Sequence, residues 1–134
     1  MKKPLIISLF AVFLLAGCAA TPAEDTENGV THISMEEAQA MMEQDENCII
    51  LDVRSYAEYA ERHIPGAICI PNDTIGKEEI AQLPNKDQRI MVYCRSGRRS
   101  KQAAAKLALL GYTDIVEIGG INDWPGETVS GEEP

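Results

Sequence analysis

The stretch at residues 89–100, RIMVYCRSGRRS, constrains the fold more than any other part of the chain. It opens with a short apolar run, residues 90–93, which is typical of a strand buried on both faces. Cys94 ends that run, and a polar loop containing Gly97 leads directly into an alanine-rich pattern of helical period. The sequence therefore predicts a thiol placed between a buried strand and the first turn of a helix.

The position of Cys94 before a helix favours the ionised form of its thiol. The first amides of a helix lack partners within it and carry the positive end of the helix dipole, so they stabilise a thiolate and hold an anion beside it. The pKa of such a thiol falls from about 8.5 toward a range of roughly 3.5 to 7.5. The alternative is a buried cysteine that packs as a small apolar residue, ahead of a solvated basic helix face.

Cations cluster after Cys94, although a helix N-terminus normally favours Asp or Glu. They are Arg95, Arg98, Arg99 and Lys101. No acidic residue stands between Cys94 and Lys106. Because residues that break a local rule often serve function, this cluster predicts a site for an anionic substrate.

Patterns typical of strands and helices alternate from His32 onward. Two capping boxes, Ser34 with Glu37 and Ser55 with Glu58, each predict the start of a helix. The predicted strands cover residues 48–53, 67–70, 90–93 and 115–118, and the predicted helices cover residues 35–44, 55–63, 77–83, the segment after Gly97 and, as a short helix or turn, residues 121–124. This alternation predicts an α/β fold with a mostly parallel sheet covered on both faces.

Ligands bind at the carboxyl ends of the strands in such sheets, and Cys94 falls at that edge. Asp52 ends its own strand at the same edge. We expect Asp52, together with Arg54 and Glu58, to hold the loop or an adjoining turn in place rather than to contact substrate. A directly catalytic role for Asp52 is the alternative.

The loop CRSGRRS at residues 94–100 has several motifs in order around it. They are LDVR at residues 51–54, EY at 58–59, HIPGA at 63–67 and GG followed by Trp at 119, 120 and 124. Together they resemble the rhodanese family of sulfurtransferases, whose single-domain members carry a Cys-x-x-Gly-x-Arg-Ser active-site loop. Cys94, Gly97, Arg99 and Ser100 match that loop position by position, and the resemblance covers roughly residues 31–125.

The resemblance implies a rhodanese-like α/β fold, with a mostly parallel five-stranded sheet and helices on both faces. It implies that Cys94 takes a sulfur atom from thiosulfate or a related anionic donor as a persulfide and passes it to cyanide or a thiol. The expected substrate-binding loop comprises Arg95, Ser96, Gly97, Arg98, Arg99 and Ser100. No metal or organic cofactor is expected, and a protein thiol is a further possible acceptor. His63 is expected to be part of the scaffold.

Two other classes of function fit parts of this pattern. Phosphatases and arsenate reductases of the cysteine-loop type resemble Cys-x5-Arg, which would require an arginine at position 100, where this chain has Ser100. The shorter loop to Arg99 suits a single sulfur atom better than a tetrahedral oxyanion. A noncatalytic module that carries persulfide sulfur, or docks a partner through its basic rim, is the other alternative.

The N-terminal residues read as an export and anchoring signal. Residues 1–17 carry two lysines, an apolar stretch and small residues before Cys18, as in a secretory signal peptide that ends in a bacterial lipobox. We expect lipidation of Cys18, a flexible lipid-anchored tether at residues 18–30, a rhodanese-like domain at 31–127 and a disordered tail at 128–134. The domain would then lie outside the cytoplasm on the bacterial cell membrane, or on an outer membrane if the cell has two. An ordinary signal peptide or an uncleaved anchor is the alternative.

Charge and cysteine content exclude several other classes. The formal net charge of −9 argues against nonspecific binding of nucleic acid. Cys48 lies roughly 13 Å from the catalytic edge, since four strand residues separate it from Asp52, and is too far to bridge Cys94. Cys69 replaces an asparagine that is usual in the family, which suggests a buried small residue or, alternatively, a resolving thiol. No CxxC spacing is present, so no metal site is expected.

Overall fold

The computed structural model describes residues 25–134, which form one six-stranded sheet with the strand order β1-β2-β6-β5-β3-β4. The strands are β1 (Asp25–Glu27), β2 (Val30–His32), β3 (Ile49–Asp52), β4 (Ile68–Cys69), β5 (Ile90–Cys94) and β6 (Ile115–Gly120). Every neighbouring pair is parallel except β1 with β2. The prediction of a mostly parallel α/β sheet is therefore confirmed, although the sheet has six strands and not five.

Helices cover both faces of the sheet, as predicted. They are α1 (Met35–Gln44), α2 (Tyr56–Glu61) and α3 (Arg98–Leu109), with short 3-10 helices at Asn72–Thr74 and Ile121–Asp123. Both predicted capping boxes form: the serine hydroxyl accepts an amide hydrogen bond from the glutamate three residues later, and the glutamate side chain accepts one from the serine amide. These local bonds fix where α1 and α2 begin.

Strand β5 divides its side chains between two apolar layers. Ile90, Val92 and Cys94 face the cluster under α3, whereas Met91 and Tyr93 face the cluster under α1 and α2. All five residues are buried. Because both faces of the sheet are covered, β5 needs an uninterrupted apolar sequence. The strand places Cys94 at the carboxyl edge of the sheet while all of its residues stay buried.

Three segments differ from their predicted structure. Residues 25–30, assigned to the tether, contain β1, which pairs with β2. Residues 77–83 form turns and no helix, because Ile80 and Leu83 pack into the core under α3, and the Tyr112 hydroxyl donates to the Leu83 carbonyl. In the predicted tail, Val129 exchanges both backbone hydrogen bonds with His63.

The predicted signal peptide, Cys18 and most of the tether lie outside the described residues. Within residues 25–134, no helix has the length and apolar character needed to cross a membrane.

Candidate active site

Cys94 is the last residue of β5, and its side chain lies under the loop that leads into α3. Its Sγ atom accepts a hydrogen bond from the Gly97 amide at 3.0 Å and lies 3.5 Å from the Ser100 hydroxyl. Gly97 has φ of 103°, a left-handed conformation that glycine adopts without steric cost. This turn folds the loop back over the sulfur atom, and Cys94 is only 1% exposed.

The surroundings of Cys94 favour a thiolate. Burial raises the pKa of the Cys94 thiol, but the hydrogen bond with the Ser100 side chain and those from the backbone amides of Ser100, Gly97 and Ser96 outweigh burial, and the net effect lowers the pKa. The predicted placement of the thiol at a helix N-terminus is confirmed. Amides aimed at the sulfur atom can also stabilise negative charge on an atom bonded to it.

Ser100 connects Cys94 to two residues that sequence reasoning missed. Its hydroxyl donates to Oε1 of Glu117, whose Oε2 lies 3.0 Å from Nδ1 of His32. Glu117 is 3% exposed and also accepts a hydrogen bond from the Gly119 amide at 2.9 Å. The signal was visible in the sequence, since Glu117 is the one charged residue in the apolar strand IVEIGG.

The cations of the loop divide into two groups. The Arg99 guanidinium makes two hydrogen bonds to the Glu58 carboxylate, at 2.8 and 2.9 Å. The hydrogen bonds from Arg99, with those from Ser55, lower the pKa of Glu58 to about 2. Arg95 and Arg98 are exposed and form no ion pair within the described part of the chain. Their positive charge is thus free to meet an anion, whereas that of Arg99 is largely neutralised.

Asp52 and Arg54 form a buried ion pair at the carboxyl end of β3. Oδ2 of Asp52 lies 2.6 Å from Nη2 of Arg54, and the same guanidinium donates to the carbonyl of Arg62 at 2.7 Å. Asp52 is fully buried, whereas Arg54, 4% exposed, reaches the wall of the cavity beside the loop. The pair joins β3 to the end of α2, and the expected role of these residues in holding the loop stays a prediction.

An open cavity of about 470 Å³ lies beside the loop, with residues from the ends of β3 and α2 and the 3-10 helix at Asn72–Thr74 in its walls. Arg99 belongs both to the loop and to the cavity wall. Tyr56, 63% exposed, stands on the same wall. The cavity gives a small molecule room next to the active-site loop.

Two other cysteines, Cys48 and Cys69, and His63 are poorly placed for catalysis. Burial raises the pKa of the Cys69 thiol to about 12, and burial also raises that of Cys48. His63 is fully buried, stacks on the Tyr59 ring and has Nδ1 2.8 Å from the Tyr59 carbonyl oxygen. Among residues 25–134, no group of His, Cys, Asp and Glu side chains is arranged to hold a metal ion.

Comparison with known proteins matches residues 34–127 to the rhodanese-like domain family. A putative sulfur carrier protein, YrkF of Bacillus subtilis, is 34% identical over 107 residues, which cover 79% of this chain and 57% of that protein. The thiosulfate sulfurtransferase PspE of Escherichia coli is 37% identical over 73 residues, covering 54% of this chain and 70% of PspE.

The same fold is found among solved structures. A structure described as rhodanese with anions from E. coli superposes with a TM-score of 0.57 at 35% identity, covering 62% of this chain and 98% of that one. The family match spans most of the described residues and includes the whole loop from Cys94 to Ser100. The chain belongs to the rhodanese-like domain family.

Proposed function

We propose that this protein is a sulfurtransferase that moves sulfane sulfur from thiosulfate, or a related anionic donor, to a thiol or cyanide through a persulfide on Cys94. The family and the sulfurtransferase names of several relatives support this general class. The observation that carries the proposal is the position of the Cys94 sulfur, under backbone amides at the N-terminus of α3, with its pKa lowered.

The reaction divides into two displacements at sulfur. The Cys94 thiolate attacks the outer sulfur of thiosulfate; a new S–S bond forms, the S–S bond of the donor breaks, and its electron pair leaves with sulfite. The acceptor then attacks the outer sulfur of the persulfide, and Cys94 departs as a thiolate. The loop amides that stabilise the first thiolate also stabilise the persulfide charge and the leaving thiolate.

The exposed cations favour an anionic donor. Arg95 and Arg98 are exposed residues of the loop on a protein of net charge −9, so attraction of an anion depends on this local patch and not on the overall field. Arg99 binds Glu58 and itself lines the neighbouring cavity. We assign Arg99 the task of shaping the site and the other two arginines that of drawing in the donor.

Mass spectrometry of the full-length chain tests the proposal. Incubation with thiosulfate should add about 32 Da, one sulfur atom, at Cys94. Cys94→Ser should gain nothing, whereas the matched variant Cys69→Ser should load as the unaltered chain does. Cleavage of an aryl phosphate with no persulfide formed would replace the proposal with a phosphatase.

A noncatalytic sulfur carrier is the second candidate, because the relative in B. subtilis is named a putative sulfur carrier protein. An enzyme should turn over many equivalents of thiosulfate with cyanide or a dithiol. A carrier should stop after about one equivalent per Cys94 unless its partner protein is added. Steady-state sulfite release separates the two.

We further propose that Cys18 is lipidated and that the domain works outside the cytoplasm, tethered to a membrane. The lipobox-like sequence before Cys18 is the support for this proposal. A lipid label incorporated in cells should be lost in Cys18→Ala. Release of the unaltered protein into the medium as a soluble form would contradict the proposal.

A further inference from the structure

A continuous hydrogen-bonded chain runs from the Cys94 sulfur through Ser100 to Glu117 and on to His32. Sγ lies 3.5 Å from the Ser100 hydroxyl, which bonds directly to Oε1 of Glu117, and Oε2 of Glu117 lies 3.0 Å from Nδ1 of His32. Four separate elements supply these residues: β5, α3, β6 and β2. His32 lies before residues 34–127, which match the family. The last member of the hydrogen-bonded chain is therefore supplied by β2, which pairs with β6.

Both ends of the link between Cys94 and Glu117 are buried, at 1% and 3% exposure. Two negative charges this close and this far from water would repel each other strongly, and each would lose its hydration. The positive charge of Arg99 favours a thiolate at Cys94, but its guanidinium already binds Glu58. A single proton shared between thiol and carboxyl would leave only one negative charge in the site.

We propose that Glu117 is a positioning residue that exchanges a proton with Cys94 through the Ser100 hydroxyl. The inference rests on the proposed function, because it concerns how the same thiol becomes a nucleophile. The thiol proton moves to Oγ of Ser100 while the hydroxyl proton of Ser100 moves to Oε1 of Glu117. Sulfur keeps the electron pair of its S–H bond and becomes a thiolate, and the carboxylate becomes a carboxylic acid.

The hydrogen bonds around Ser100 suit both states of the exchange. With Glu117 ionised, the hydroxyl donates to Oε1 and turns a lone pair toward the thiol. With Glu117 protonated, Oε1–H donates to Oγ, and the hydroxyl proton can turn to the thiolate at 3.5 Å or to the Gly97 carbonyl oxygen at 2.9 Å. His32 and the Gly119 amide hold the carboxyl group in place in either state.

The charged groups around this network are few in the described part of the chain. The charge of Arg99 acts on Cys94, and the charges of Asp52 and Glu58 act on Arg99. His32 faces Glu117 and lines a small surface cavity with Glu27 and Lys101. His32 contacts the same carboxyl group, so the test must separate its contribution from that of Glu117.

The test is the pH dependence of Cys94 alkylation by iodoacetamide in the full-length chain, followed by peptide mass spectrometry without any sulfur donor. When thiol and carboxyl share one proton, the fraction of thiolate stays constant between the pH at which the pair loses its first proton and the pH at which it loses its second. The alkylation rate of the unaltered protein, plotted against pH, should therefore show a shoulder in which it changes less than about twofold per pH unit. Glu117→Gln should show one step, with the rate falling about tenfold per pH unit below it. If Glu117→Gln changes the alkylation rate by the same factor at every pH and keeps the shoulder, Glu117 has only a structural role and the proposal is overturned.

Three further variants complete the test. Ser100→Ala removes the connecting hydroxyl with no added bulk and should shorten the shoulder; a shoulder of unchanged width overturns the proposal even if Glu117→Gln does not fold. His32→Gln keeps a donor for Oε2 and should keep the shoulder, whereas its loss would assign the shoulder to His32. Asp114→Asn breaks the exposed ion pair with Arg89 far from the loop and should leave the profile unchanged.

Failure of this inference is distinguishable from failure of the proposed function. Alkylation reports the thiolate alone, and a parallel incubation with thiosulfate reports sulfur loading. A protein that loads sulfur at Cys94 but shows a single titration step retains its proposed function and refutes the proton exchange. A protein with the shoulder but no sulfur loading would refute the function.

Discussion

Gly120, the last residue of β6, lies directly against the backbone of the active-site loop. A Cβ atom added there would lie 2.1 Å from the Arg95 carbonyl oxygen and 2.5 Å from the Ser96 amide nitrogen. Gly120 has φ of −123°, which any residue adopts in a strand, so Gly120→Ala acts through steric overlap and not through backbone strain. The substitution therefore tests how far the position of the loop depends on contact with β6.

The size of the effect follows from this overlap. A carbon atom normally approaches a carbonyl oxygen to no less than about 3.3 Å, so the loop must move by roughly 1 Å. Overpacking of this kind costs about 1–3 kcal/mol of unfolding free energy. A displacement of about 1 Å in a reacting group can lower a rate roughly 10²-fold. We expect Gly120→Ala to fold, with reduced stability, and to load sulfur from thiosulfate on the order of 100-fold more slowly.

The assay is the initial rate of persulfide formation at Cys94, measured by mass spectrometry alongside urea denaturation. Gly111→Ala is the matched control: Gly111, just after α3, has φ of +92°, and an added Cβ there meets no heavy atom within 4 Å. That variant should lose about 1 kcal/mol through backbone strain, with a much smaller effect on rate. Folded Gly120→Ala that loads sulfur at the unaltered rate, or an equal rate loss in Gly111→Ala, would refute the steric argument.

Two further predictions concern stability. Glu58→Gln breaks the ion pair with Arg99 and weakens the cap of α2, so urea denaturation at pH 7 should show a loss of about 1 kcal/mol, a value that allows for solvent screening. Because the folded-state pKa of Glu58 is about 2, against 4.5 ordinarily, the contribution is present above pH 4.5 and disappears as pH falls toward 2, where the two proteins should converge. Leu51→Ala, at a fully buried position of β3, should cost about 2–5 kcal/mol in the same assay, and a loss below 1 kcal/mol would mean that the core collapses to fill the cavity.

Features that depend on neighbouring residues could be predicted from the sequence. The capping boxes at Ser34 and Ser55 each bring together residues three positions apart, and the apolar run before Cys94 specifies a buried strand whatever lies beside it. The site around Cys94 was predictable for the same reason, because loop, glycine and helix start are consecutive in the chain.

Features that depend on strand order could not be predicted in this way. His32 meets Glu117 across 85 residues, and Arg99 meets Glu58 across 41, so each contact exists only once β2 pairs with β6 and α3 packs near α2. The pairing of β1 was missed because Asp25–Glu27 is polar, like a linker, and all three of its residues are exposed. Its strand conformation comes from backbone bonds to β2 and not from burial of side chains.

That polar outer strand has a consequence for self-association. A sheet edge offers unpaired amides and carbonyls to any passing chain, and aggregation through such edges is a general hazard of sheet proteins. One edge strand, β1, carries the like charges of Asp25 and Glu27, which repel the same edge of another molecule. The opposite edge strand, β4, is only two residues long, Ile68–Cys69. The domain is therefore protected against edge-to-edge polymerisation even when many copies are crowded together.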